Sequence, residues 1–145
     1  MGIRAIAAAE TLQLRQQVLR PKQRPEEQVY PNDDAPDTLH AGAFRDGKLV
    51  GIATVFRESL PGETNPRAWR LRGMAVLPEE QGQGIGRALI EFSIAHVRAH
   101  DGALLWCKGR TSARAFYEAL GFRATGAEFD VPISGPHFVF RREPL

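Results

Sequence analysis

The chain has 145 residues and a mass of 16.1 kDa. That suffices for one domain with a substantial core and is too little for two, so one domain over residues 1–145 is expected. Apolar residues make up 43% and charged residues 25%, an ordinary globular mix that excludes a disordered chain. Nineteen basic against seventeen acidic side chains leave a net charge of +2, with no basic stripe to suggest nucleic acid. Cys107 is the single cysteine, which excludes an internal disulfide and fits a reducing compartment. No apolar run reaches membrane-spanning length, so a cytoplasmic protein without a membrane partner is expected.

In chain order, Ile3 to Ala8 reads as a short first strand. Glu10 to Arg20 reads as a helix with an imperfect face of Leu12, Leu14, Val18 and Leu19, ended by Pro21. Residues 21–37 carry Pro21, Pro25, Pro31 and Pro36 among polar neighbours and read as a long loop, its acidic Asp33-Asp34 facing solvent. Thr38 to Phe44 and Leu49 to Phe56 form a hairpin around Asp46-Gly47. After a second loop at 59–67, Ala68 to Leu77 is a strand with Trp69 and Leu71 on one face and Arg70 and Arg72 on the other; Gly73 marks a bulge. Ile85, Ala88, Leu89, Phe92, Ala95, His96 and Ala99 recur at helical spacing, and Asp101-Gly102 stops that helix.

Ala103 to Cys107 is an apolar strand suited to the middle of a sheet, with Cys107 as a buried small hydrophobe. Thr111-Ser112 should cap a second helix that turns Ala115, Phe116, Ala119 and Leu120 inward and ends at Gly121. Two more strands follow around Arg123–Asp130 and His137–Arg142, with Arg141-Arg142 at the surface. His40, His96, His100 and His137 show no metal-ligand spacing, so no metal site is expected. The pattern gives an antiparallel first half joined to a strand–helix–strand–helix second half, an α+β fold on a mixed sheet.

The run Gln81-Gly82-Gln83-Gly84-Ile85-Gly86-Arg87-Ala88 carries the most chemistry. Alternating glycines between a strand and a helix expose backbone N–H groups to one spot, backed by the positive end of the helix dipole. A diphosphate is the natural guest. A P-loop would need Lys-Ser or Lys-Thr, which the chain lacks. A dinucleotide turn would need a third glycine where Arg87 stands, at the first strand–helix junction.

The stretch from Met74 to Ile90 resembles motif A of the GCN5-related N-acetyltransferase (GNAT) superfamily, whose Gln/Arg-x-x-Gly-x-Gly/Ala core is matched by Gln81, Gly84 and Gly86. Ala115 to Phe122 is similar to the end of motif B, Phe-Tyr-x-x-x-Gly-Phe. The resemblance covers about half the chain. It implies a mostly antiparallel central sheet of six to seven strands, helices on both faces, and a splayed strand pair that takes the acyl-CoA.

It further implies acetyl transfer from acetyl-CoA to a small-molecule or peptide amine, by direct attack on the thioester. A non-catalytic acyl-CoA-binding or sensing module on the same fold is the alternative. Met74 and Val76 would offer backbone groups to the pantetheine arm, with Ala75 between them. Gln83, Gly84, Gly86, Arg87 and Ala88 would surround the pyrophosphate, and Gln81, Gly82, Ile85 and Phe116 would complete the cofactor site. Tyr117 would protonate the departing thiolate. Family members often have Asn late in the following strand, where this chain has Lys108 or Gly109. Some carry a basic acid on the strand before motif A, where this chain has Arg70, which cannot accept a proton. His40, Glu58, Asp33, Asp34 and Asp37 remain as proton acceptors. The family also allows a homodimer. If Arg70 and Arg72 face the substrate cleft, they favour an acidic acceptor.

Overall fold

The computed structural model describes residues 1–145, built on one seven-stranded sheet in the order β1-β2-β3-β4-β5-β7-β6. The strands are β1 (Gly2–Ala5), β2 (Leu39–Arg45), β3 (Lys48–Arg57), β4 (Ala68–Val76), β5 (Leu104–Arg110), β6 (Arg123–Val131) and β7 (Gly135–Arg142). Every neighbouring pair is antiparallel except β4 and β5, which run parallel because helix α2 (Ile85–Ala99) forms the crossover between them.

The hairpin turns at Asp46-Gly47, both with positive φ, as the turn chemistry requires. Gly51 lies against Ile85 and Leu89, and Trp69 packs edge-on to His96, which sets α2 on one face. The buried stripe of α2 is Ile85, Leu89, Ile90, Ser93, Ile94 and Val97. Ala88, Phe92 and His96 border it, whereas Ala95 and Ala99 are exposed. The larger side chains win the core because they remove more apolar area from water than alanine does.

The opposite face is covered by the chain before β2, and here the expectations shift. The first strand stops at Ala5, and Ala8–Thr11 is already a 3₁₀ turn. The expected helix over Glu10–Arg20 is a relay of that turn, one α-turn α1 (Leu12–Leu14) and a π-turn (Arg15–Leu19). The wider turn carries Arg15, whose side chain is fully buried against the sheet. The 21–37 loop is anchored rather than solvent-borne: Asp33 is 6% exposed and ion-pairs with Arg15, while Asp34 faces water.

Helix α3 (Arg114–Ala119) is shorter than expected, and no side chain caps it; the Thr111 hydroxyl instead donates to Glu128. Its inward residues are Phe116, Tyr117 and Leu120, and Ala115 and Ala119 are exposed. The aromatic rings take the inward positions because they fill the space over β5 and β7. Gly121 ends the helix at φ +86°. Arg141 is also not a surface residue: its side chain is 15% exposed and pairs with Glu63 and Glu143. No helix is long and apolar enough to cross a membrane.

Candidate active site

The sheet opens between β4 and β5. Their register holds for three pairs only, Ala68 with Leu104, Trp69 with Leu105 and Arg70 with Trp106. Beyond these β4 runs on to Val76 and β5 to Arg110, so the two strands part into a cleft. The cause lies on the other side of β4. Ile52 pairs with Ala75 and Thr54 with Arg72, so Ala53 stands against both Gly73 and Met74. This is the bulge expected at Gly73, which sits at φ +65°. A Cβ on Gly73 would stand 2.9 Å from the Tyr30 ring, so the position excludes any side chain.

At the open end, Gly82 and Gly84 adopt φ of +79° and +82°, and a Cβ on either would meet nothing within 4 Å. The N–H groups of Gly82, Gln83 and Gly84 donate to no protein acceptor. The first bond of α2 runs from the Ala88 N–H to the Gly84 carbonyl. The N–H groups of Ile85, Gly86 and Arg87 therefore have no partner within the helix. Six consecutive N–H groups without protein acceptors, two of them on glycines with open space beside them, suit a diphosphate. Gln81 ties the loop back by donating to the Val76 carbonyl, and Gln83 accepts from Arg45. Phe116 lies over Gly86, where a Cβ would stand 3.3 Å from the ring. Met74 and Val76 are half-buried along the cleft; the side chains of Ala75 and Ile85 belong to the core, leaving only their backbones available. Arg87 is exposed and paired with Glu91. A groove of about 340 Å³ between α2 and α3, lined by Arg87, Ile90, Leu120 and Arg142, adjoins this loop.

Tyr117 faces β5 from the same side as α2. Its ring stacks on Phe140 at 4.7 Å and meets Phe116 and Phe122 edge-on. Gly109 admits that ring, because a Cβ there would stand 2.6 Å from it. The Tyr117 hydroxyl and the Cys107 thiol are neighbours, each shifting the other's titration. Burial, with the neighbouring thiol, pushes the Tyr117 pKa far above its ordinary 10.0. Burial likewise pushes the Cys107 thiol up to about 12, against a lowering effect of Tyr117. Tyr117 is thus a neutral donor, and Cys107 is no nucleophile.

The other face of the cleft is polar. Register places Thr54 beside Arg72, Phe56 beside Arg70 and Trp106 beside Arg70, so these side chains share one face, as their alternation predicted. Arg15 donates to both oxygens of Asp33, to the Gln28 carbonyl and to Thr54. Burial alone would raise the Asp33 pKa, but bonds from Arg15 and the Tyr30 amide, with the Arg15 charge, hold it below the ordinary 3.8. His40 has both ring nitrogens engaged, on Thr54 and the Asp33 carbonyl. Asp37 pairs with Arg57 on the surface. Glu58 bonds Arg70 at 3.0 Å with its carboxylate partly open to solvent, the one proton acceptor expected from sequence that reaches this face free of the core. Sequence reasoning missed Arg15 and Tyr30; the available signal was that Tyr30 is the sole aromatic in the 21–37 loop.

The sheet thus splits beside a bulge, with an N–H cradle at the helix that follows. A model described as the acetyltransferase (GNAT) family matches residues 6–122, and the chain belongs to that family. It is 36% identical over 140 residues to the uncharacterized N-acetyltransferase YitI of Bacillus subtilis, covering 96% of this chain and 93% of the relative. It is 33% identical over 95 residues to the N-alpha-acetyltransferase RimI of Mycobacterium tuberculosis, covering 63% of this chain and 56% of the relative. Escherichia coli ElaA shares the fold with a TM-score of 0.78 at 18% identity, covering 98% of this chain and 99% of that one.

Proposed function

We propose that the chain transfers an acetyl group from acetyl-CoA to an amine by direct attack on the thioester. The observation that carries this reading is a cleft whose two faces differ in chemistry: a neutral, buried donor in Tyr117 on one and charged Arg70, Arg72 and Glu58 on the other. The loop from Gly82 to Arg87 would hold the diphosphate, and the stretch of β4 from Met74 to Val76, without a strand on its β5 side, would line the pantetheine. Acetyl-CoA supplies an activated acyl group there. An alkylamine has a pKa near 10, so only about one molecule in a thousand is nucleophilic at pH 7. We assign its proton to Glu58, directly or through a water. On the far face the Tyr117 hydroxyl donates a hydrogen bond to the sulfur as charge develops on it. Its raised pKa disfavours full proton transfer but preserves the donor at any working pH.

Isothermal titration with acetyl-CoA, CoA and ATP tests the donor, and thiol release over a panel of amines, a peptide N-terminus included, tests turnover. ATP binding without CoA binding would end this account. One observation favours the alternative, a non-catalytic acyl-CoA module: His40, Asp33 and Asp37 are all committed to structural partners. Tight CoA binding with no turnover on any amine would select it. Tyr117→Phe is expected to lower kcat about tenfold or more with acetyl-CoA affinity nearly unchanged. Wild-type turnover in that variant would reduce Tyr117 to a packing residue.

A further inference from the structure

On the polar face of the cleft Arg72 stands without a carboxylate, and that gap describes the acceptor. Of the guanidiniums on this face, Arg15 pairs with Asp33, Arg70 with Glu58, and Arg141, opposite Trp106, with Glu63 and Glu143. Arg15 and Asp33 form a closed, buried, two-pronged pair. Arg70 reaches Glu58 through Nη1 alone, and its buried Nε has no partner. Arg72 forms no ion pair with any carboxylate. It lies 4.0 Å over the ring of Tyr30, whose ring also carries Arg15 at 3.8 Å. The ring attracts both cations but offers the N–H fork of Arg72 no oxygen.

Lys108 stands two residues beyond Trp106 on β5, hence on the same face, and is exposed. Extending the register past Arg70 and Trp106 sets Arg72 and Lys108 on opposite lips of the cleft. A half-buried guanidinium without an anion is unfavourable, and its planar fork matches two oxygens of a carboxylate or phosphate.

We propose that Arg72, assisted by Arg70 and Lys108, binds an oxyanion carried by the acceptor, so that the substrate class is amines bearing a carboxylate or phosphate near the amino group. The catalytic half of this statement rests on the transferase reading above. The anion site itself stands on the geometry alone.

The test compares β-alanine, O-phosphoethanolamine, ethanolamine and putrescine as acceptors for the wild type, Arg72→Gln and Arg72→Lys. The acidic amines are expected to exceed ethanolamine in kcat/KM by about tenfold or more, with putrescine poorest. Arg72→Gln should shrink that ratio by about tenfold, through the KM of the acidic amine and not that of acetyl-CoA, while Arg72→Lys, which keeps the charge and loses the fork, should fall between the two. The two acidic arms separate carboxylate from phosphate. Titration of succinate and inorganic phosphate into the CoA-loaded protein reads the same site without chemistry. A wild type preferring putrescine, an acid-to-neutral ratio unmoved by Arg72→Gln, or anion binding equal in both proteins would overturn the proposal. Anions bound through Arg72 without turnover on any amine would uphold the site and sink the transferase reading.

Discussion

Asp33→Ala is expected to destabilise the fold by roughly 3–5 kcal/mol, because it strands the Arg15 guanidinium in the interior with its partner gone. The Arg15 side chain is fully buried, and two of its four bonded acceptor atoms are the Asp33 oxygens. Urea unfolding followed by circular dichroism measures the loss; a shift below about 1 kcal/mol would show that water or Gln28 replaces the carboxylate. The same pair predicts an acid limit. Asp33 is held below its ordinary 3.8 in the folded chain, so its contribution is fully present above that value. It is lost as the pH falls from there through the lowered folded-state pKa. Asp33→Asn should remove this part of the pH dependence, flattening the acid limb of stability against pH. An unchanged acid limb would place the sensitivity elsewhere.

Gly84→Glu is expected to weaken CoA binding by about a hundredfold or more, equivalent to roughly 2.7 kcal/mol. A Cβ at this position meets no protein atom within 4 Å, so the loss does not come from crowding at the backbone. Its carboxylate would instead reach toward the N–H groups that the diphosphate needs, and both cannot be neutralised by one helix terminus. Gly84→Ala separates the causes: it imposes the cost of an L-residue at φ +82° without the charge, and should fall within about tenfold of wild type. Titration calorimetry reads both variants. Near-native affinity in Gly84→Glu would mean that the diphosphate sits elsewhere.

The parts of this molecule that sequence reasoning located are those whose cause is local. Asp46-Gly47 dictates its own turn, Gly73 its own bulge, and the alternation of Trp69, Arg70, Leu71 and Arg72 its own two faces. The glycine run and the Phe116–Phe122 stretch pointed to a family and fold that the comparisons bear out. The polar face was not legible. Arg15 finds Asp33 eighteen residues on and Thr54 thirty-nine residues on, and no periodicity encodes such partners. In sequence Arg15 merely interrupts an apolar stripe, so the π-turn it occupies read as ordinary helix. Ala115 and Ala119 misled for a related reason. Helical spacing marks a face, but the ring of Tyr117, admitted by Gly109, decided which face turned inward.

The parting of β4 from β5 has a mechanical consequence. Strands β1 to β4 and strands β5 to β7 are two leaves of one sheet, joined along it by three residue pairs. On the side facing the seam, β4 past Arg70 has backbone donors and acceptors without rungs, an edge enclosed within the sheet and not at its rim. An extended ligand with amides of its own can act as the absent strand, restoring the ladder and fastening the leaves at once. Binding and rigidity are then one event, and hydrogen exchange along β4 from Arg72 to Val76 should slow when that rung is filled.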